Sequence, residues 1–216
     1  MDDAPLATSA SAARTVPRRS QQERRSEAEQ KLLLAARDIV ARKGASGMTL
    51  AEVGERAGYS RGLAAHHFGS KAGLMRALAN YINQSFMAEV AAATPRRPGL
   101  DSVLGFVSVY LSRKGGNWIN TRALLVLMAE AMLEHSGTGK SLAEYNRTVL
   151  DYLEQHLKIG IKAGEVRRTL APDATAVLVL GALRGIMLQR LMQGGDVDPV
   201  AARDQLLDFL QRAVAK

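Results

Sequence analysis

Apolar residues recur at intervals of three and four along most of the chain, and no stretch alternates apolar with polar positions over a strand's length. That pattern predicts an all-α protein. Leu32, Leu33, Ala36, Ile39 and Val40 form one stripe of a first helix. Ser26 and Glu29 read as its capping box, each side chain satisfying a free amide of the first turn, and Gly44 after Arg42 and Lys43 marks its end. Thr49 and Glu52 form a second capping box, opening a short helix with Leu50, Val53 and Ala57 inward, and Gly58 breaks it. Ser60 caps a brief third helix. Ser70, just past Phe68 and Gly69, caps a long fourth through Leu74, Leu78, Tyr81, Ile82 and Phe86.

Pro95 and Pro98 end that fourth helix, because a proline inside it loses a hydrogen bond and clashes with the preceding turn. Five more helices follow, from Asp101 to Arg113, Asn117 to Glu134, Ser141 to Ala163, Pro172 to Met192 and Asp198 to Ala215, making about nine in all. Their punctuation is the Gly115-Gly116 pair, a Gly137-Thr138-Gly139 loop, a capping box at Ser141 and Glu144, Gly164, and Asp198 followed by Pro199.

Composition narrows what such a protein does. Hydrophobic residues make up 47% of the 216, enough for a sizeable core. A formal net charge of +8 favours polyanions, either nucleic acid or an acidic membrane surface. The second would need an amphipathic helix with Lys and Arg on one face, which only the N-terminal segment approaches. No apolar run of the roughly 18 residues needed to cross a bilayer is evident and the N-terminus lacks a signal-peptide core, so the expected location is the cytoplasm and no membrane partner is expected. Without cysteine there is no disulfide framework and no thiol nucleophile. No nucleophile, base and orienting group share a recognisable spacing, and no phosphate loop is present, so an enzyme is not expected. The histidines at 66, 67, 135 and 156 supply no metal motif, since His66 and His67, as helical neighbours, point apart, and no cofactor is expected.

The informative segment is Thr49 to Leu74, TLAEVGERAGYSRGLAAHHFGSKAGL. Two short helices around Gly58-Tyr59-Ser60 suit a helix-turn-helix, whose first helix braces the second in a DNA major groove. Tyr59, Ala64 and Phe68 fall on the inward side. The segment resembles the TetR family signature: a threonine opening the helix, an Ala-Gly-Tyr-Ser turn, a glycine two residues later, a His-Phe pair and a Ser-Lys start to the fourth helix. The likeness runs from about Leu32 to Leu78. It implies that Thr49 and Lys71 reach backbone phosphates and that Ser60, Arg61, Gly62, Leu63 and His66 face the bases, with Arg61 able to pair with a guanine edge. Ala64 and Ala65 stand where the family has leucine and tyrosine; the tyrosine's phosphate contact is lost, and His66 or His67 is placed to replace it. Gly54 stands where alanine is usual, costing the helix roughly 1 kcal/mol unless close packing needs the space.

The expected organisation is a basic disordered arm over residues 1–25, carrying Arg14, Arg18, Arg19, Arg24 and Arg25, then a helix-turn-helix domain over 26–70 and a helical body over 71–216. The resemblance implies a repressor acting as a homodimer on a palindromic operator. Its body would enclose a pocket for a small apolar or amphipathic effector, for which Phe106, Tyr110, Trp118, Met128, Met132, Tyr145 and Tyr152 are candidates. The last two helices would pair with their copies through Leu178, Gly181, Gly185, Leu188, Leu206 and Phe209. A short recognition helix reads few bases, so two half-sites about 34 Å apart, or a multiple of that, are expected. A regulator without a ligand, whose body only dimerises, is the alternative.

Overall fold

The computed structural model describes residues 20–93, 97–112, 118–133, 137–193 and 196–216. Among them are nine α-helices: α1 (Gln21–Lys43), α2 (Leu50–Arg56), α3 (Leu63–Phe68), α4 (Lys71–Ala93), α5 (Leu100–Leu111), α6 (Ile119–Leu133), α7 (Gly137–Ala163), α8 (Pro172–Met192) and α9 (Pro199–Val214). The all-α expectation holds. Arg14, Arg18 and Arg19 of the expected arm, Pro95, the Gly115-Gly116 pair and His135 lie outside the described residues.

Three helix starts differ from the sequence reading. α1 begins at Gln21, because Ser20 and Glu23 form the reciprocal capping box, so that Ser26, Glu29, Arg24 and Arg25 are already helical. Two Ser-x-x-Glu runs compete here, and the earlier wins although its first turn is exposed. Ser60 does not cap α3. That helix starts three residues later behind Gly62, after a turn closed by the Leu63 amide on the Ser60 carbonyl, 3.1 Å. α7 begins at Gly137, which puts Ser141 inside the helix; Gly139 packs against Ala131 of α6, a tertiary contact with no local signature. Thr49, Ser70 and Asp198 cap as expected, each oxygen accepting a backbone N–H of its own first turn, but the box at Thr49 is half-formed: the Glu52 carboxylate goes to Lys43 instead of the Thr49 amide.

One continuous core joins the helices. Leu32 and Val40 of α1, Leu74 and Leu78 of α4, Phe106 and Leu111 of α5, and Leu153 and Leu157 of α7 are fully buried in it. Each such leucine or phenylalanine contributes roughly 1.5–3 kcal/mol by leaving water. At the centre, Phe86, Phe106, Tyr110 and Tyr152 form an aromatic cluster, with the Phe86 ring edge-on to Phe106 at 5.2 Å and to Tyr110 at 5.5 Å.

α6 joins the small N-terminal helices to the body, packing along α1. The Glu130 carboxylate accepts the Ala45 amide at 3.0 Å and the Ser46 hydroxyl at 3.1 Å, and Arg37 of α1 donates to Asn120 Oδ1 at 3.2 Å. Contrary to the sequence expectation, α8 is long and apolar enough to cross a membrane by length and composition, because its few charged residues are spread thinly along 21 residues. Its inner face, Ala176, Val179, Leu180, Leu183 and Met187, is buried in the core. The chain end is held by an isolated β-bridge between Val166 and Ala215.

The start of α5 is gripped from α7 and the turn that follows it. The Gly99 amide donates to His156 Nδ1 at 3.3 Å, the Leu100 amide donates to Glu165 Oε2 at 3.0 Å, and the imidazole lies 4.5 Å from the Tyr152 ring. Burial lowers the pKa of His156 from its ordinary 6.5. A histidine whose folded value lies below its unfolded one contributes stability that is complete above pH 6.5 and lost as the pH falls from there through the folded value. Urea unfolding followed against pH should show stability falling across that acid window. His156→Gln, which keeps an acceptor for Gly99 but does not titrate, should flatten that part of the profile; an unchanged profile would refute the assignment.

Candidate nucleic-acid interface

α2 ends in a Schellman turn. Gly58 takes a left-handed φ of 79° and donates to Glu55 O at 3.0 Å, while the Tyr59 amide reaches back to Gly54 O at 2.9 Å. The backbone thereby folds onto itself. A Cβ on Gly54 would meet the Ser60 carbonyl oxygen at 2.5 Å. The close packing that would justify a helix glycine is therefore present, and it sets the angle at which the chain leaves α2 for α3. Val53 and Ala64, both fully buried, seal the contact between the two helices, with Tyr59 and Phe68 half-buried beside them.

This arrangement turns one surface outward. Thr49, Ser60, Arg61, Gly62 and His66 are exposed, whereas Leu63, His67 and Lys71 are half-buried, and Leu63 packs on the core. Ser60, Arg61 and Gly62 lie in the turn ahead of α3 rather than within it. The His66 and His67 rings stand perpendicular with centroids 6.2 Å apart. The Arg61 Nε lies 3.1 Å from Glu55 Oε1, with both side chains largely in solvent, an arrangement in which an ion pair contributes about 0–1 kcal/mol and is easily exchanged. Lys43 pairs with Glu52 at 2.8 Å and holds its carboxyl below the usual carboxylate range.

Lys71, at the first turn of α4, donates to the Ser46 carbonyl at 2.9 Å. The same Ser46 is held by Glu130, so the approach to Thr49 is fixed from both sides. Glu130 and the Arg37–Asn120 contact were invisible to the sequence reading: their partners lie more than eighty residues away, and nothing local marks them.

The profile of the tetR family of bacterial regulatory proteins matches residues 32–78, and that of the C-terminal region of BetI-type transcriptional repressors matches residues 99–215. The chain belongs to the TetR family. It is a transcriptional regulator, not an enzyme. Similar to this TetR-family chain is the HTH-type transcriptional repressor AcnR of Corynebacterium diphtheriae, 29% identical over 86% of this chain and 90% of that one. A solved structure from Rhodococcus sp. assigned to the TetR family superposes with a TM-score of 0.78 at 25% identity, over 88% of this chain and all of the other. A transcriptional regulator from Saccharomonospora viridis in complex with choline has the same fold, with a TM-score of 0.70 at 19% identity over 88% of this chain and 99% of that one.

In the body of this TetR-family regulator the seven expected pocket residues do not converge. Phe106, Tyr110 and Tyr152 fill the aromatic cluster, and Trp118 is half-buried against the core. Tyr110 and Tyr145 line a cavity of about 10 Å³, space for one water molecule. Met128 and Met132 instead line a separate, open groove of about 340 Å³. Of the expected dimer residues, Leu178 is 72% exposed, Phe209 68% and Leu188 49%, and Gly181 and Gly185 are open to solvent. Leu206 is half-buried against the core.

Gly54→Ala tests the turn. Helix propensity alone favours alanine by about 1 kcal/mol, but the clash with the Ser60 carbonyl should reverse the sign and destabilise the protein by about 1–3 kcal/mol. Denaturant midpoints would decide it.

Proposed function

We propose that the chain is a repressor that binds a palindromic operator as a homodimer in the cytoplasm and is released by a small apolar or amphipathic effector. The observation that carries DNA binding is the outward face of Thr49, Ser60, Arg61 and His66, braced from behind by α2. Thr49 and Lys71 hold phosphates, Arg61 reads a base edge, and His66 or the adjacent His67 takes the place of the family's tyrosine. The helix-turn-helix unit runs to about residue 70 and the effector and dimerisation body from 71 onward.

Dimerisation is supported by the face of α8 and α9. Val177, Leu178, Leu188, Met192, Val200 and Phe209 all expose large apolar side chains, and only 28% of the most apolar stretch of α8 is buried within one chain. A patch of that kind needs cover, and the exposed Gly181 and Gly185 allow close approach of a second helix. Effector coupling is supported by Glu130: a shift of α6 moves the Ala45-Ser46 segment that precedes Thr49. By linkage an effector weakens operator binding only by its differential affinity for the two arrangements, typically about 1–3 kcal/mol. The small central cavity favours a second reading, a regulator whose body only dimerises. A thermal-shift screen against apolar and amphipathic compounds separates the two.

Selection of bound fragments from genomic DNA, followed by titration of the recovered site, tests the docking. Arg61→Ala should lose about 1–3 kcal/mol of discrimination at one base pair, and Lys71→Ala should weaken all sequences alike and lower the salt slope by about one. Wild-type strength and selectivity in both variants would refute it. Leu178→Glu should raise the dimer dissociation constant by at least about 30-fold, about 2 kcal/mol, in sedimentation experiments. An unchanged constant would place the interface elsewhere.

A further inference from the structure

The groove between α6, α7 and α8 joins two features that rarely coexist without a reason. Its walls include Met128, Ala131, Met132 and Leu142, and Asn146 and Arg184 stand among them. Arg184 Nη1 donates to Asn146 Oδ1 at 2.6 Å, which fixes the guanidinium plane. Its other terminal nitrogen, Nη2, is buried and has no acceptor among the described residues. A guanidinium keeps its charge at every accessible pH and cannot accept a hydrogen bond. Buried donors without partners are uncommon in folded proteins, and each calls for an explanation, an absent ligand among them.

We propose that this groove binds an anionic amphiphile, with a carboxylate on Arg184 Nη2 and an alkyl tail along Met128, Met132 and Leu142. A carboxylate offers the missing acceptor together with the opposite charge. Asn146 orients the guanidinium through Nη1, and Nη2, closed to solvent in the free chain, is uncovered as the ligand enters. Thioether side chains rearrange readily around tails of different shape, and Met132, 81% exposed, forms a yielding lip through which the headgroup passes inward. Apolar walls with a few placed polar groups are the usual make-up of a small-molecule site. A cation such as choline is disfavoured by the same Arg184. The site deepens the effector reading proposed above, since Met128 and Ala131 belong to the helix that carries Glu130.

The test is calorimetric titration of the full-length protein with decanoate, dodecanoate, decanol and choline. At least one carboxylate should bind, and Arg184→Met should weaken it roughly tenfold or more while leaving decanol within about twofold, the loss expected of one charge-assisted hydrogen bond. Because Arg184→Met removes a partner of Asn146, Met132→Glu at the exposed lip provides a second variant. Its added negative charge should also weaken the carboxylate selectively. No carboxylate binding, equal losses for decanoate and decanol, or tighter binding of choline would overturn the proposal. So would Arg184→Met splitting the dimer with no carboxylate bound, which would make the groove a subunit contact. Operator binding is read separately: decanoate held through Arg184 without release of DNA would leave the site standing and remove its effector role. Release of DNA by other compounds, with no Arg184-dependent binding, would keep the regulatory reading and eliminate this site.

Discussion

A single carboxylate sets the relation between the two halves of this protein. Glu130, near the end of α6, accepts backbone and side-chain hydrogens from Ala45 and Ser46, in the loop that hands the chain from α1 to α2. The surface proposed to face DNA starts from that loop: Thr49 caps α2, α2 positions the turn, and the turn aims α3. Lys71 fastens the same Ser46 from the start of α4. The helix-turn-helix unit is therefore seated on α6, which also borders the methionine-lined groove. Hydrogen bonds to a charged acceptor are among the stronger ones in a protein, which suits a joint between two packed units.

The parts legible in the sequence were those whose causes are local. Helical periodicity, the oxygens of Thr49, Ser70 and Asp198, and the glycine at position 58 act within one turn of themselves, and each did as its chemistry predicts. Where two local signals competed, proximity to the apolar stripe proved a poor judge. Ser26 lies nearer the stripe, yet Ser20 caps α1, because capping depends on the first turn's free amides and not on burial. Ser60 misled for a related reason: an N-cap preference says nothing about whether the chain turns first, and here Gly62 is the boundary.

The less legible parts depend on residues far apart in the chain. Neither Glu130 nor the pairing of Arg184 with Asn146 leaves a trace in spacing or composition. The aromatic candidates for a pocket face inward, but inward-facing residues fill space as readily as they enclose it. Phe106 and Tyr110 fill it, stacking on each other and meeting Phe86 edge-on. Met132 points outward to solvent, and that exposure is what distinguishes it from ordinary core.

The ion pair between Arg61 and Glu55 has a bearing on how such a protein would find its site among random sequence. A guanidinium with an acid beside it arrives at a duplex partly neutralised, so a lone phosphate gains little by capturing it. The two acceptors of a guanine edge compete better, because they match the guanidinium fork in shape as well as charge. Because the pair itself is worth only about 0–1 kcal/mol, Glu55 would tilt the proposed contact of Arg61 slightly toward a base edge without holding the arginine back.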